Sequence, residues 1–187
     1  GHDLADSVLA LRVNASSSWS GDMKFSFEPL PAQSARNVTS PQDFYNPPAP
    51  EATTSNVEGV VVRSQPLLPP PLGGGGSLAT AWVQDSGFVY CSVAYSSTAS
   101  SVASLAAQAV AKARTIGFDA LLAQHSQWWD SWYRISFISA GPTNFESYYW
   151  IQQYKYASAT HPNAPVLSNL GVWVAPTGEF KFMFLCC

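Results

Sequence analysis

Hydrophobic residues recur with a period of two early in the chain and with a period near 3.6 from about residue 98 onward. Ser7 to Val13, SVLALRV, alternates apolar and polar side chains. Met23 to Phe27, MKFSF, does the same with Lys24 and Ser26 on the outer face. Both segments predict half-buried antiparallel strands, and Gly21-Asp22 between them predicts a turn. Residues 29–56 carry six prolines, from Pro29 to Pro50, with little periodicity, and read as a long loop. Val57 to Gln65, VEGVVVRSQ, is rich in β-branched residues and predicts one strand. Pro69 to Gly76, PPPLGGGG, predicts a loop within one sandwich rather than a domain linker, because strands resume at once. Ser77 to Val83 and Phe88 to Tyr95 flank Gln84-Asp85-Ser86-Gly87, a hairpin signal. In Phe88 to Ser96, FVYCSVAYS, both faces are partly apolar, as in a strand inside a sandwich.

The helical period begins with Thr98 to Arg114, which places Val102, Leu105, Ala106, Ala109 and Ala113 on one stripe. Ser or Thr near its start can cap it, Lys112 and Arg114 favour the negative end of its dipole, and Gly117 stops it. Asp119 is the expected cap of a second helix running to about Tyr133. Thr143 or Asn144 is the expected cap of a third ending near Ala159, which Pro162 and Pro165 keep from continuing. The two later helices read as amphipathic and joined by a short Gly-Pro loop. Strands followed by helices predict an α+β chain, or two separate domains. The final EFKFMFLCC is an apolar run with no cap or turn behind it, and reads as a truncation, an alternative splice or a frame change.

Composition narrows the partners. Only 11% of the 187 residues are charged, well below the globular average, while 47% are hydrophobic. So little charge excludes a solvated disordered tail. It also suggests that a partner, or the rest of a longer protein, covers some of the surface. A net charge of −3 leaves no basic footprint for nucleic acid. No run is long enough for a spanning helix, and the start carries no charged-then-apolar leader pattern. The sequons Asn14-Ala15-Ser16 and Asn37-Val38-Thr39 give a weak indication of a secreted or extracellular protein. Cys91, Cys186 and Cys187 form neither a zinc pattern nor a disulfide framework, and Cys91 reads as a buried thiol.

Candidate chemistry concentrates between His125 and Trp173. Trp128 and Trp132 share a helical face, with Trp129 about 100° away. Flat aromatic rings suit the C–H faces of sugars, so Trp128 is a candidate sugar contact. Packing between helices is the commoner role of such a ring. His125 has no second ligand at metal spacing and no serine on an elbow, which leaves a structural histidine and no metal site. Glycoside cleavage needs two carboxyl groups across the bond. The helical part offers Asp119, Asp130, Glu146 and Glu179: Asp119 reads as a cap, Asp130 as the i+4 partner of Arg134 and Glu146 as a first-turn acid, and none of the four carries a catalytic signature. Gly73 to Gly76 lacks the Lys-Ser/Thr of a phosphate loop.

Three segments carry a family resemblance: HSQWWDSWYRISFI from His125, FESYYWIQQYKYASAT from Phe145, and PVLSNLGVW from Pro165. The chain resembles the N-terminal part of glycoside hydrolase family 95. In that family an antiparallel β-sandwich is followed by a helical linker and an (α/α)6 barrel. The first two segments resemble the linker-to-barrel junction. The third resembles the family's Pro-Ala-Asn-Leu-Gln-Gly-Ile-Trp loop at the barrel mouth, with one Gln missing. The resemblance implies a sandwich over residues 1–96, a helical linker over 97–117 and an incomplete barrel over 118–187. It implies substrate contacts at Asn169 and Trp173, an inverting hydrolysis of terminal α-L-fucosides or related sugars, and no cofactor. The family's acid and base lie further along than this chain extends, so the chain alone is expected to be inactive. Two other readings remain open. One is a non-catalytic carbohydrate-binding sandwich using Trp82 or Trp128. The other is an assembly protein docking through its helical tail on the missing barrel or another subunit.

Overall fold

The computed structural model describes residues 8–13, 50–69, 75–85, 87–97 and 102–160. The expected strand at Met23–Phe27, both sequons, Cys186, Cys187 and the loop bearing Asn169 and Trp173 lie outside the described residues. Among the described residues there are five strands: β1 (Val8–Arg12), β2 (Thr53–Val57), β3 (Val60–Pro66), β4 (Ser77–Asp85) and β5 (Phe88–Ser96). Three helices follow among the described residues: α1 (Val102–Ile116), α2 (Phe118–Tyr133) and α3 (Thr143–Ala159). The strands form one antiparallel sheet in the order β1-β5-β4-β3-β2. The class is therefore α+β.

The core is a single helix laid on one face of this sheet. Alternation puts Val60 and Val62 of β3, Ala79 and Ala81 of β4, and Tyr90 of β5 on the same side. Register sets one cross-strand row as Val62, Ala81, Ser92 and Val8. Small residues fill its middle. Helix α1 meets that row with Val102, Ala106, Ala107, Val110 and Ala113, so small side chains face each other across the layer. Residues of this size let the helix approach closely, since interlayer spacing follows the side chains at the contact. Leu105 of the expected stripe is half-buried, and Ala107 and Val110 are buried in addition. The stretch expected to be a linker thus supplies half of the core.

The other face of the sheet is uneven. Leu9, Leu11, Val93 and Tyr95 are exposed there, while Val89 and Thr80 are buried. Phe88–Ser96 therefore has one face against a helix rather than two covered faces as in a sandwich interior. Cys91 on this side is half-buried rather than buried, and that burial raises its thiol pKa.

Two strand expectations need correction. VEGVVVRSQ is not one strand but the tip of a hairpin. Val57 pairs with Val60, and Glu58 and Gly59 both have positive φ, 51° and 83°. That is the two-residue turn whose twist suits a hairpin. Asn56 Oδ1 accepts the Gly59 N–H at 2.9 Å and closes it. The turn in turn places Thr53–Val57 as edge strand β2, so the end of the expected loop at 29–56 is a strand. Its Thr-Thr-Ser-Asn run is almost wholly exposed and carries no hydrophobic signal.

Helix caps also differ. Gly117 does end α1, with its N–H on Ala113 O at 2.9 Å, but it is also the N-cap of α2. With no spacer between the helices, Asp119 falls inside the first turn and caps nothing. Its carboxylate takes Arg12 Nη1 at 3.2 Å. Arg12 also lies over the Phe118 ring, 4.8 Å from its centroid, and Phe118 packs on Phe88 at 5.7 Å. Thr143 and Asn144 do not cap α3 either, because Pro142 occupies the N-cap. Glu146 instead reaches back to accept the Ala140 N–H at 2.9 Å, a capping-box-like contact.

Val62 and Val110 are the largest fully buried side chains. Each Val→Ala change is expected to cost roughly 1–3 kcal/mol in urea denaturation, from lost transfer energy plus a residual cavity. Gly76→Ala should cost more than Gly59→Ala. Both glycines have positive φ, but a Cβ at Gly76 would sit 2.2 Å from Ser96 O whereas Gly59 faces open space. We expect about 1 kcal/mol at Gly59 from the left-handed backbone alone, and about 3 kcal/mol at Gly76.

Candidate functional site

Beyond the sheet core, α2 and α3 are held together by aromatic rings. Spacing on α2 sets two adjoining rows, Gln124-Trp128-Trp132 and His125-Trp129-Tyr133, because residues four apart share a face. Trp129 is the hub. It stacks on Tyr133 at 5.4 Å and on Tyr154 of α3 at 5.3 Å, and its Nε1–H donates to His125 Nε2 at 3.0 Å. Tyr133 meets Trp150 edge-on at 5.6 Å, and Trp150 meets Tyr149 at 5.2 Å. The Ser136 hydroxyl hydrogen-bonds to the Tyr149 hydroxyl. His125 thus holds Trp129, as the expected structural histidine would.

Trp128 occupies the outer row. One face stacks nearly parallel on Trp132, 5.7 Å away at 9°, and Trp129 meets it edge-on at 4.9 Å. It remains 46% exposed and lines a shallow, open hollow of about 280 Å³ with Gln124, Gln127 and Ser131. These four lie at i, i+3, i+4 and i+7 on one stripe of α2, a spacing readable in the sequence but hidden there by the prominence of the tryptophans. Ser131 Oγ donates to Gln127 O at 2.9 Å. The Trp132 Nε1 atom is buried without a hydrogen-bond partner.

The structure brings Trp128 together with polar neighbours, whereas Asn169 and Trp173 lie outside the described residues. Among the described residues the carboxylates of α2 and α3 are engaged, while Glu179 lies outside them. Asp119 holds Arg12, Asp130 holds Arg134 at 3.0 Å, and Glu146 holds the Ala140 amide. Asp85 at the β4–β5 hairpin accepts Arg114 Nε at 2.8 Å. The three carboxylate–arginine pairs are exposed and worth about 0–1 kcal/mol each. Among the described residues no group of three His, Cys, Asp or Glu side chains could hold a metal ion. No helix among them is long and apolar enough to cross a membrane.

The helical hairpin also presents much apolar surface. No α2 residue is buried, and in α3 only Ala157 is. Ile135 and Phe137 in the connector are 74% and 80% exposed, and Phe145, Tyr148, Ile151 and Tyr156 of α3 are more than half exposed. The expectation of a simple amphipathic α3 is corrected here. Its aromatics surround the helix, with Trp150 and Tyr154 turned toward α2 and Phe145, Tyr148 and Tyr156 exposed. The connector spans residues 134–142 rather than Gly-Pro alone.

No protein-family model matches the chain, and no curated protein or solved structure was found to match it.

If Trp129 and Tyr154 join the two helices, a double-mutant cycle of Trp129→Ala and Tyr154→Ala should give a coupling energy of about 0.5–1.5 kcal/mol. Urea denaturation followed by near-UV circular dichroism measures it. A coupling near zero would show that the rings pack side by side without holding the hairpin.

Proposed function

We propose that the chain is the N-terminal section of a carbohydrate-active protein of the glycoside hydrolase family 95 type, with Trp128 as a sugar contact. The observation that carries this reading is the half-exposed Trp128 ring beside the carboxamides of Gln124 and Gln127. An aromatic face for C–H groups next to groups that both donate and accept is the chemistry of saccharide recognition. Element order supports it, since strands precede a helix and then an aromatic helical hairpin. The exposed Leu9, Leu11, Val93 and Tyr95 on the second sheet face suit the second layer of a sandwich. On this reading Asn169 and Trp173 contribute further substrate contacts, and the natural setting is extracellular. The family's inverting acid and base come from residues other than these engaged carboxylates, and no cofactor takes part.

An assembly role is the second reading, favoured by the bare apolar surface of Ile135, Phe137, Phe145 and Tyr148. On the carbohydrate reading that same surface is where the rest of an (α/α)6 barrel would pack.

The purified chain should bind neutral methyl glycosides weakly, in the millimolar range, lose that binding on Trp128→Ala, and leave an aryl α-L-fucoside unhydrolysed. Titration calorimetry and a chromogenic assay test both points. Turnover of the fucoside by this chain would contradict the assignment of its acid and base elsewhere, and absence of any sugar binding would sink the Trp128 contact.

A further inference from the structure

We propose that the hollow on α2 is a subsite for a single uncharged pyranose ring, and that Gln124 and Gln127 determine which sugars it accepts. The inference rests on the carbohydrate reading above and adds the ligand class and the residues that select it. Trp128 stacks one face on Trp132, lies nearly at right angles to Trp129, and remains 46% exposed. With one face taken by Trp132, a ligand can reach the exposed part of the ring from one side only, which matches one sugar ring rather than a ring clamped on both sides.

The lining carries no charge: Gln124, Gln127, Trp128 and Ser131. Each carboxamide both donates and accepts, and so can complement a hydroxyl that does the same. Ser131 gives its proton to Gln127 O, which leaves its oxygen as an acceptor. The two carboxylates of α2 are paired with arginines, Asp119 with Arg12 and Asp130 with Arg134. A uronate or sulfated sugar entering the hollow would find no cation among the lining residues. A neutral sugar loses nothing by that.

The test is a titration of the intact chain followed through its tryptophan indole N–H resonances, with the Trp128 signal identified from Trp128→Phe. The probes are methyl glycosides of L-fucose, D-galactose and D-glucose, and the methyl glycoside of D-glucuronic acid. We expect saturable shifts of the Trp128 signal with at least one neutral glycoside, and binding several-fold weaker for the glucuronide. Gln124→Ala and Gln127→Ala should each weaken the neutral sugar about two- to tenfold, the scale of one lost neutral hydrogen bond. Both glutamines are exposed on α2, so these variants leave the packing intact. Equal binding of neutral and acidic sugars with no effect of the glutamine changes would overturn this inference and leave the carbohydrate reading standing. No shift with any glycoside would overturn both.

Discussion

The structure depends on one contact, the small-residue face of α1 against the small-residue rows of β3, β4 and β5. Ala106, Ala113 and Val110 are wholly buried there, as are Val62, Ala79 and Ala81. Side chains this short bring a helix and a sheet into close contact, with dispersion gained over many atom pairs and few rotamers to freeze. The same packing leaves no slack, so the loss of one methyl group is felt. The β3–β4–β5 meander and α1 share this core, while β1 and β2 extend the sheet as edges. Arg114–Asp85 and Arg12–Asp119 fasten α1 and α2 to the hairpin end of the sheet, where Phe88 and Phe118 meet.

The helical hairpin is stabilised differently. Its seam is made of rings meeting rings at 5 to 6 Å, with Trp129 between His125, Tyr133 and Tyr154. Most of those rings are partly exposed, so the seam orients the helices without closing a second core. This explains how one chain holds both a tightly packed layer and a large display of apolar side chains. It also explains why Trp128 is available: the outer row of α2 has no opposing element among the described residues, and Trp132 props the ring from behind.

Much of this was legible in the sequence. The alternation in SVLALRV and FVYCSVAYS marked β1 and β5, Ser86-Gly87 marked the hairpin, and the periodic stripe with Gly117 marked α1 and its end. The i+4 arithmetic placed Trp128 on Trp132 and Asp130 on Arg134. The failures have physical causes. Glu58-Gly59 lacks the Asn or Asp that usually announces a two-residue turn, and the run of valines around it masked the reversal. The strand β2 is held by pairing with β3 rather than by burial, so its polar sequence carried no pattern. Asp119 looked like a cap because a helix start was expected to need a side chain, whereas α1 and α2 share Gly117 and free the carboxylate for Arg12. Of the candidate site, Trp128 was visible, but Gln124, Gln127 and Ser131 became meaningful only when the helix brought them around its ring.

The central claim is that α1 and the sheet form one cooperative core while α2 and α3 stand on an aromatic seam. Native-state hydrogen exchange of the backbone amides tests it most directly, because exchange resolves the free energy of opening element by element. The account predicts the strongest protection in β3, β4, β5 and α1, near the global unfolding free energy, with α2 and α3 exchanging through a smaller opening. Protection of α2 and α3 equal to that of α1, lost together in one transition, would contradict it.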